Sequence, residues 1–303
     1  MKKTFYSNGK LLITGEYLVL DSAKALALPT KFGQDLVVEN GNGKTICWKS
    51  FDKNGRIWFE EILPFSEIIN KLKSESQHEK NTLIDILHEA YLLNPEFLTS
   101  SEGYKISTHL TFPKLWGLGT SSTLINNIGQ WLAIDAFVLL KNSFGGSGYD
   151  IACAQNHSAI FYQLVNGEAM VETIDFKPQC FDKLYFVYLN KKQSSKNAIA
   201  SYYKKNKKLE KIVPEINSIT EALADNSNFE NFVALIERHE DIMSSVLEEP
   251  TVKSKLFSDF NGTIKSLGAW GGDFVLVISK ENPTEYFSAK GYETVIPYEK
   301  MIL

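Results

Sequence analysis

Residues 113–123, PKLWGLGTSST, place two closely spaced glycines directly before a run of hydroxyl side chains. A β-type segment, YKISTHLTF, precedes them, and an apolar segment with helical periodicity, STLINNIGQWLAIDAFVLL, follows them and is predicted to form one helix. Glycines let backbone N–H groups approach a ligand and point in one direction. Because the positive end of the helix dipole would face the loop, the pattern predicts a phosphate-binding turn.

A simpler interpretation of this loop is a strand–helix turn in which Ser or Thr caps the helix. The loop is not a Walker loop, because Thr120 stands where the pattern needs lysine, and it is not GxGxxG, because Ser122 replaces the third glycine. The GKT ending at 43–45 has Val38 in the first-glycine position, and a hairpin turn explains it. The loop alone therefore leaves both interpretations open.

The rest of the chain mixes helical and strand patterns without a regular βαβ rhythm, which predicts an α+β fold. KLLITGEYLVL is β-rich with a turn in its middle, and the NGNG and KNG stretches predict two β-hairpins. NTLIDILHEAYLL predicts a helix capped by Asn81 or Thr82. Later segments predict a strand at FDKLYFVYLN, helices at VPEINSITEALAD and NFVALIERHEDIMSSVL, a buried strand at FVLVISK, and a final helix–strand unit.

Bulk properties limit the classes of function. The 303 residues suggest two domains, which we place at 1–170 and 171–303. A formal net charge of −4 does not suit a nucleic-acid binder. Three widely spaced cysteines predict neither a zinc site nor a disulfide framework, and the sequence shows no signal peptide and no apolar run of about 18 residues. We therefore expect a cytoplasmic protein with no membrane partner.

Two further stretches flank the loop, NGKLLITGEYLVLD (8–21) and GAWGGDFVLV (268–277). The order GK…GEY, P-x-x-x-GLG-S/T-S and GA-x-GG resembles the three motifs of the GHMP kinases, which include galactokinase and the homoserine, mevalonate and phosphomevalonate kinases. The resemblance spans nearly the whole chain. GGSGYDIACA (145–154) resembles the segment that carries the family's catalytic aspartate, and it is similar to the signature of a bacterial group named for its GYDIA sequence.

The resemblance implies a fold and an activity. The fold would be an N-terminal domain like domain 2 of ribosomal protein S5 and a ferredoxin-like C-terminal domain. The activity would be ATP- and Mg²⁺-dependent phosphorylation of a small anionic alcohol. GEY, Lys114 and Asp273 are most similar to phosphomevalonate kinases, which act on mevalonate 5-phosphate in isoprenoid synthesis. Mevalonate kinase, another small-alcohol kinase, and a non-catalytic nucleotide-binding relative are the alternatives, and a homodimer is left open.

The resemblance also implies the site residues. Asp150 would accept or orient the proton of the acceptor hydroxyl, and Lys10 would pair with Asp150 and stabilise developing charge. ATP phosphates would contact Lys114, Gly117, Leu118, Gly119, Thr120, Ser121 and Ser122, with Mg²⁺ on Ser121. The acceptor would contact Glu16, Tyr17, Ser147, Gly148, Tyr149, Ser194, Ser195, Lys196, Gly271, Gly272 and Asp273.

These assignments have simpler alternatives in the residues themselves. Asp150 also suits a helix N-cap, Lys10 a solvated lysine at a strand start, and the polar segment 190–202 an ordinary helix start. Trp270 stands where the third motif usually has glycine, so it would narrow the cleft or stack on a ligand. No carboxylate in DAFVLLKNSFGG matches a second metal ligand, and His239 has no partner spacing that predicts chemistry.

Overall fold

A computed structural model describes residues 2–193, 195–205, 209–225 and 228–303. The chain forms two compact units. The first comprises the chain up to Gly9, Phe32–Lys114 and Leu118–Gln155, and the second comprises Lys10–Lys31, Leu115–Gly117 and Asn156–Leu303. The two domains predicted from the sequence, 1–170 and 171–303, stay a prediction. Among the described residues, no helix is both long and apolar enough to cross a membrane.

Strands and helices alternate irregularly along the chain, which confirms the α+β class. The strands are β1 Lys2–Leu12, β2 Ala25–Asn40, β3 Thr45–Phe51, β4 Ile57–Pro64, β5 Tyr104–Leu110, β6 Ile160–Val165, β7 Glu168–Thr173, β8 Leu184–Tyr188, β9 Thr263–Ser266, β10 Phe274–Ile278 and β11 Val295–Pro297. The helices are α1 Phe65–Ile69, α2 His78–Leu93, α3 Glu96–Thr99, α4 Thr120–Leu132, α5 Ala136–Ser143, α6 Tyr149–Gln155, α7 Ser195–Tyr203, α8 Leu209–Ala224, α9 Phe229–Leu247, α10 Val252–Leu256, α11 Thr284–Ala289 and α12 Tyr298–Met301.

The sheet of the first unit has the order β4–β3–β5–β2, with β3 parallel to β5. The KNG turn joins β3 and β4 as an antiparallel hairpin, as predicted. The NGNG hairpin is wrong, because β5 lies between β2 and β3. Gly41 N instead donates to Gly103 O at 2.8 Å, and a Cβ at Gly41 would lie 2.7 Å from Tyr104 N, so the glycine serves this close backbone approach.

Helices α2, α4 and α5 pack on this sheet around an apolar core that includes Trp48 and Ile125. The single helix predicted after the loop is wrong, because the structure divides it into α4 and α5. Ala133 ends α4 in a left-handed conformation with φ 53°. Asp135 then caps α5, since its carboxylate accepts from Phe137 N at 2.7 Å.

The second unit contains an antiparallel sheet of order β11–β8–β10–β9, and β6 and β7 form a hairpin beside Ala25–Ala27 of β2. Strand β10 is buried along its whole length, as its FVLVI sequence predicts. Helices α8, α9 and α11 lie at the predicted segments. The LVL part of the first β-rich segment is a 3₁₀ turn, Leu18–Asp21, rather than strand, because Tyr17 adopts φ 60° and redirects the chain.

The predicted cap of the first long helix is also wrong. Helix α2 begins at His78, three residues before Asn81. The Asn81 side chain instead binds both backbone groups of Ser74, accepting from its N–H at 2.9 Å and donating to its carbonyl. Asn81 therefore fastens the preceding turn from inside the helix.

Candidate active site

The glycine loop leads from a 3₁₀ turn, Lys114–Trp116, into helix α4. Gly117 and Gly119 have φ values of 69° and 95°, a left-handed backbone that glycine adopts without steric cost. Gly119 is the N-cap residue of α4, and within the described part of the chain no side chain caps this helix. The amide groups of its first turn therefore face the loop without the side-chain acceptor that a capped helix would have.

The hydroxyl residues occupy the first turn of α4 and not the capping position. Thr120, Ser121 and Ser122 are its first three residues. Thr123 Oγ1 donates to Gln34 Oε1 at 2.7 Å, which fixes the base of the turn to β2. The structure thus disagrees with the simpler interpretation of Ser/Thr capping, and it presents hydroxyls and the positive dipole end together.

Lys114 has partners that the sequence did not reveal. Its Nζ lies 3.8 Å from the ring centroid of Trp58 on β4 and 3.6 Å from Glu79 Oε1 on α2. The cation–π contact and the weak ion pair hold the ammonium group beside the start of the loop. Trp58 Nε1 is buried and has no hydrogen-bond partner among the described residues. The role of Lys114 in phosphate binding stays a prediction.

Asp150 is the second residue of α6, so it lies in the first helical turn and is not the N-cap. Gly148 has φ 93°, and its carbonyl accepts from Ile151 N and Ala152 N at 3.0 and 3.1 Å. Ser147 and Gly148 form the turn, and Tyr149 opens the helix. A carboxylate at this place is stabilised by the helix dipole.

Helix α6 packs directly against α4 in the first unit. Gln155 Nε2 donates to Asn126 Oδ1 at 3.0 Å, which joins the two helices. The fold thus brings the helix that carries Asp150 beside the helix that begins at the glycine loop, although the two predicted motifs begin 32 residues apart in the sequence, at Pro113 and Gly145.

In the second unit, the Asp273 carboxylate packs against the backbone of Gly117. A Cβ built on Gly117 would lie 2.3 Å from Asp273 Oδ2, so only glycine fits there. Asp273 itself adopts φ 53°. Burial raises the pKa of Asp273, while the Lys10 ammonium, a hydrogen bond from Gln193 N at 3.3 Å, and Lys192 act to lower it.

Lys10 therefore acts electrostatically on Asp273, a relation that the sequence did not predict. Its pairing with Asp150 stays a prediction. Gly271 has φ 78°, a left-handed backbone that suits glycine, and a Cβ at Gly272 would lie 2.0 Å from Gln193 Cγ, so Gly272 permits the close approach of Gln193. Ser194 lies outside the described residues. Ser195 and Lys196 begin α7.

Glu16 lies in a buried group of ionisable side chains. One carboxylate oxygen binds Lys265 Nζ, and the other lies 3.4 Å from His239 Nε2. Lys265 and His239 are fully buried, and Glu16 is 2% exposed. Burial raises the pKa of Glu16 and lowers that of His239 well below its usual value. Gly15 N donates to His239 Nε2 at 3.0 Å, so this neutral histidine accepts there.

Tyr17 follows Glu16 and connects the first motif to the third within the second unit. Its hydroxyl accepts a hydrogen bond from Trp270 N at 2.9 Å. Burial raises the pKa of Tyr17, so the phenol stays protonated near neutral pH. Tyr17 and Trp270 each lie in a motif that the sequence reveals, but only the structure shows that the two residues are in contact.

The donor set offers oxygen ligands for a hard cation. Among the described residues, no three His, Cys, Asp or Glu side chains converge as a metal site. The Ser121 hydroxyl in the first turn of α4 is of the ligand type that Mg²⁺ accepts when phosphates and water complete its coordination. Ser121 thus fits the predicted role.

The chain has the fold of known small-molecule kinases. Methanococcus jannaschii mevalonate kinase matches it with a TM-score of 0.70 at 17% identity, over 97% of this chain and 96% of that chain. Streptococcus pneumoniae phosphomevalonate kinase, in complex with phosphomevalonate and AMPPNP, matches with a TM-score of 0.67 at 16% identity over 95% of each chain. Lactococcus lactis galactokinase, complexed with galactose, matches with a TM-score of 0.68 at 12% identity, over 98% and 94%.

These similarities confirm the predicted GHMP kinase fold. No family model matches the sequence, and no curated protein matches it significantly. The similarity therefore lies in the course of the backbone and in the short motifs that the sequence displays.

Proposed function

We propose that this protein is an ATP-dependent phosphotransferase that transfers the γ-phosphoryl group to a small anionic acceptor, with the phosphate group of mevalonate 5-phosphate favoured over the hydroxyl of mevalonate. The observation that carries the proposal is the N-terminus of α4. It is capped by glycine, carries three hydroxyl residues in its first turn, and lies in a chain with the fold of such kinases.

Each predicted residue then has a defined task. The amide groups of the loop and the hydroxyls of Thr120–Ser122 would bind the phosphates. The positive end of the α4 dipole would offset the negative charge of these phosphates. Mg²⁺ held by Ser121 would offset phosphate charge in the transition state. The attacking atom would be a phosphate oxygen of mevalonate 5-phosphate, or the hydroxyl oxygen of mevalonate. Asp150 would accept or orient the proton on that oxygen while the oxygen bonds to the γ-phosphorus and the bond from the γ-phosphorus to the ADP oxygen breaks.

Lys10 would stabilise the negative charge that develops on the transferred group. Its electrostatic interaction with Asp273 supports this task, because it relates Lys10 to a residue of the third motif. Asp273 also abuts Gly117, so the third motif fixes the backbone at the start of the loop.

The choice of acceptor rests on the motifs. The GEY sequence and Asp273 resemble phosphomevalonate kinases, and one structural neighbour is such an enzyme with phosphomevalonate bound. Mevalonate is the second candidate, because Trp270 departs from the third motif and mevalonate kinases are equally similar in fold. A non-catalytic nucleotide-binding relative would retain the loop and lack turnover.

The test measures ADP release with ATP and Mg²⁺ in parallel on mevalonate 5-phosphate and mevalonate. The wild type should turn over the phosphorylated acceptor faster, and Asp150→Asn should lower kcat by 10²-fold or more, as expected for loss of a general base. Asp175→Asn, an exposed aspartate outside the helices and strands, is the matched control and should keep wild-type rates.

Faster turnover of mevalonate would reverse the order of the two acceptors. Binding of ATP without turnover of either acceptor would support the non-catalytic relative. An Asp150→Asn variant with wild-type kcat would remove Asp150 from the mechanism.

A further inference from the structure

The interior of the first unit contains a group of polar side chains that we call the polar network. Its members are Ser7 on β1, Gln34 on β2, Thr123, Asn126 and Asn127 on α4, and Gln155 on α6. All except the exposed Gln155 have side chains that are 1% exposed or less. A buried amide or hydroxyl group costs free energy unless it is hydrogen-bonded, so these side chains are expected to have partners.

The hydrogen bonds of the polar network run without interruption from the first turn of α4 to β1. Thr123 Oγ1 donates to Gln34 Oε1 at 2.7 Å, and the Gln34 carbonyl accepts from Asn127 Nδ2 at 2.9 Å. Ser7 Oγ then donates to Asn127 Oδ1 at 2.8 Å and accepts from Asn126 Nδ2 at 2.8 Å. These bonds hold the helix that begins at the glycine loop to both β1 and β2.

Asn126 extends the polar network from α4 to α6. Its Nδ2 donates to Ser7 Oγ, and its Oδ1 accepts from Gln155 Nε2 at 3.0 Å. Gln155 is the last residue of α6, and Asp150 is the second residue of the same helix. The amide of Asn126 therefore fastens the helix that carries Asp150 to a buried point on β1.

The hydrogen-bonding capacity of the Ser7 hydroxyl is fully used. This group has one proton and two lone pairs; the proton goes to Asn127, while Asn126 Nδ2 and Gln130 Nε2 donate at 2.8 and 3.3 Å. Three buried side-chain atoms of the described residues lack a hydrogen-bond partner, and none of them belongs to the polar network. Because a shift of α4, α6 or β1 would leave a buried group unpaired, the network favours one arrangement of these elements.

The polar network contributes to geometry more than to stability. Hydrogen bonds formed on folding replace bonds to water, so the net gain for each bond is small, and apolar groups of the same shape can be nearly neutral replacements. Leucine has the same branched shape as asparagine. Directional hydrogen bonds, however, fix the position of one helix along another, whereas apolar contacts allow it to slide.

We propose that Asn126 and Ser7 are positioning residues, which place Asp150 for phosphoryl transfer by fixing α6 against α4 and β1. The inference rests on the proposed kinase function. Helix α6 has seven residues and therefore depends on tertiary contacts for its position. Since a misplacement of about 1 Å can cost on the order of 10²-fold in rate, a loose α6 would lower kcat while the glycine loop still binds ATP.

The test compares Asn126→Leu with the wild type in the ADP-release assay. The substitution keeps the shape of the side chain and removes both of its hydrogen bonds. It should lower kcat at least about tenfold and leave the KM for ATP within about threefold of the wild type. Asn94→Leu is the matched control, because Asn94 Nδ2 donates to Leu132 O at 2.9 Å, at the end of α4 opposite the loop. This variant should keep the wild-type kcat.

A second variant approaches the same hydrogen bond from α6. Gln155 is exposed, so Gln155→Ala is expected to fold, and it should lower kcat in the same direction as Asn126→Leu. The double variant should be no slower than Asn126→Leu alone, because both substitutions break the Asn126–Gln155 bond. Urea unfolding shows that each variant is folded at the assay temperature. If Asn126→Leu does not fold, Gln155→Ala decides.

The Asp150→Asn background distinguishes positioning from a structural role. With no carboxylate to position, Asn126→Leu and Gln155→Ala should cause no further loss of kcat in this background. A structural role would lower the folded fraction equally in both backgrounds, so the losses would multiply. Losses that multiply would overturn the inference, as would an Asn94→Leu variant that loses as much kcat as Asn126→Leu.

The two proposals fail in different ways. Absence of ADP release by the wild type with either acceptor would remove the kinase function and, with it, the positioning role. Turnover that depends on Asp150 and that neither Asn126→Leu nor Gln155→Ala changes would support the kinase function and overturn the positioning role alone.

Discussion

Glu240 is buried on α9, and its titration should control part of the pH dependence of stability. Its carboxylate accepts hydrogen bonds from Ser266 Oγ at 2.8 Å and from Ser266 N at 3.1 Å. Burial raises its pKa from 4.5 to about 7, although the Lys265 ammonium and the two hydrogen bonds from Ser266 act to lower it. The folded protein therefore binds a proton here that the unfolded chain has released at neutral pH.

The sign and the size of the Glu240 contribution to stability follow from the difference between its folded and unfolded pKa values. Because the folded pKa is the higher one, the stability that Glu240 contributes is fully present below pH 4.5 and is lost as the pH rises through 7. The difference of 2.5 units corresponds to about 3 kcal/mol, of which about 2.5 kcal/mol falls between pH 5 and pH 8. Glu240→Gln keeps an oxygen acceptor for Ser266 and cannot titrate.

The assay is urea unfolding of the wild type and Glu240→Gln at pH 5 and pH 8. Between these values the wild type should lose about 2.5 kcal/mol more of its unfolding free energy than the variant. His239 is buried with a lowered pKa, so its own contribution rises with pH, but it is present in both proteins and cancels. Asp241→Asn, which changes an exposed carboxylate on the same helix, should behave as the wild type. Equal losses in the wild type and Glu240→Gln would refute the reasoning.

Two further substitutions test the buried ion pair and the loop. Lys265→Met leaves Glu16 buried without its cation and should cost about 3–5 kcal/mol of unfolding free energy in urea, and adding Glu16→Gln should restore part of it. Gly117→Ala places a Cβ 2.3 Å from Asp273 Oδ2 and should raise the KM for ATP at least about tenfold, which steady-state kinetics would measure. Gly145→Ala has the same left-handed φ with open space around it, so it should cost about 1–2 kcal/mol of stability and leave the KM for ATP unchanged.

The elements that the sequence predicted correctly are those whose signal is local. The KNG turn gives the β3–β4 hairpin because glycine accepts a positive φ within the turn itself. The FVLVI run gives a central buried strand because five consecutive apolar residues have no polar face to expose. NGNG carries the same local signal as KNG, but β5 pairs between the strands that it joins, and no property of residues 40–43 reveals a strand more than 60 residues away.

The same limit, that sequence motifs reveal only local relations, decides which parts of the candidate site could be predicted. The loop from Gly117 to Ser122 is one continuous stretch of sequence, and so is the turn before Asp150. The glycines and hydroxyl residues of each stretch are therefore visible as a motif. Glu16 is equally visible in its motif, but its partners Lys265 and His239 come from β9 and α9, more than 220 residues later. Neither partner has a spacing that distinguishes it from an ordinary surface residue.

Burial, and not residue type, is what gives Glu16 its chemistry. An exposed glutamate after a glycine turn would be ionised and available to a ligand, whereas Glu16 binds a fully buried lysine and its pKa is raised by desolvation. Its neighbour Tyr17 has a strained φ of 60°, and the Tyr17 hydroxyl accepts a hydrogen bond from Trp270 N. The ion pair and the Tyr17–Trp270 contact are therefore made by adjacent residues of one turn, so a substitution at Lys265 that leaves the protein folded should change acceptor KM and leave ATP KM unchanged.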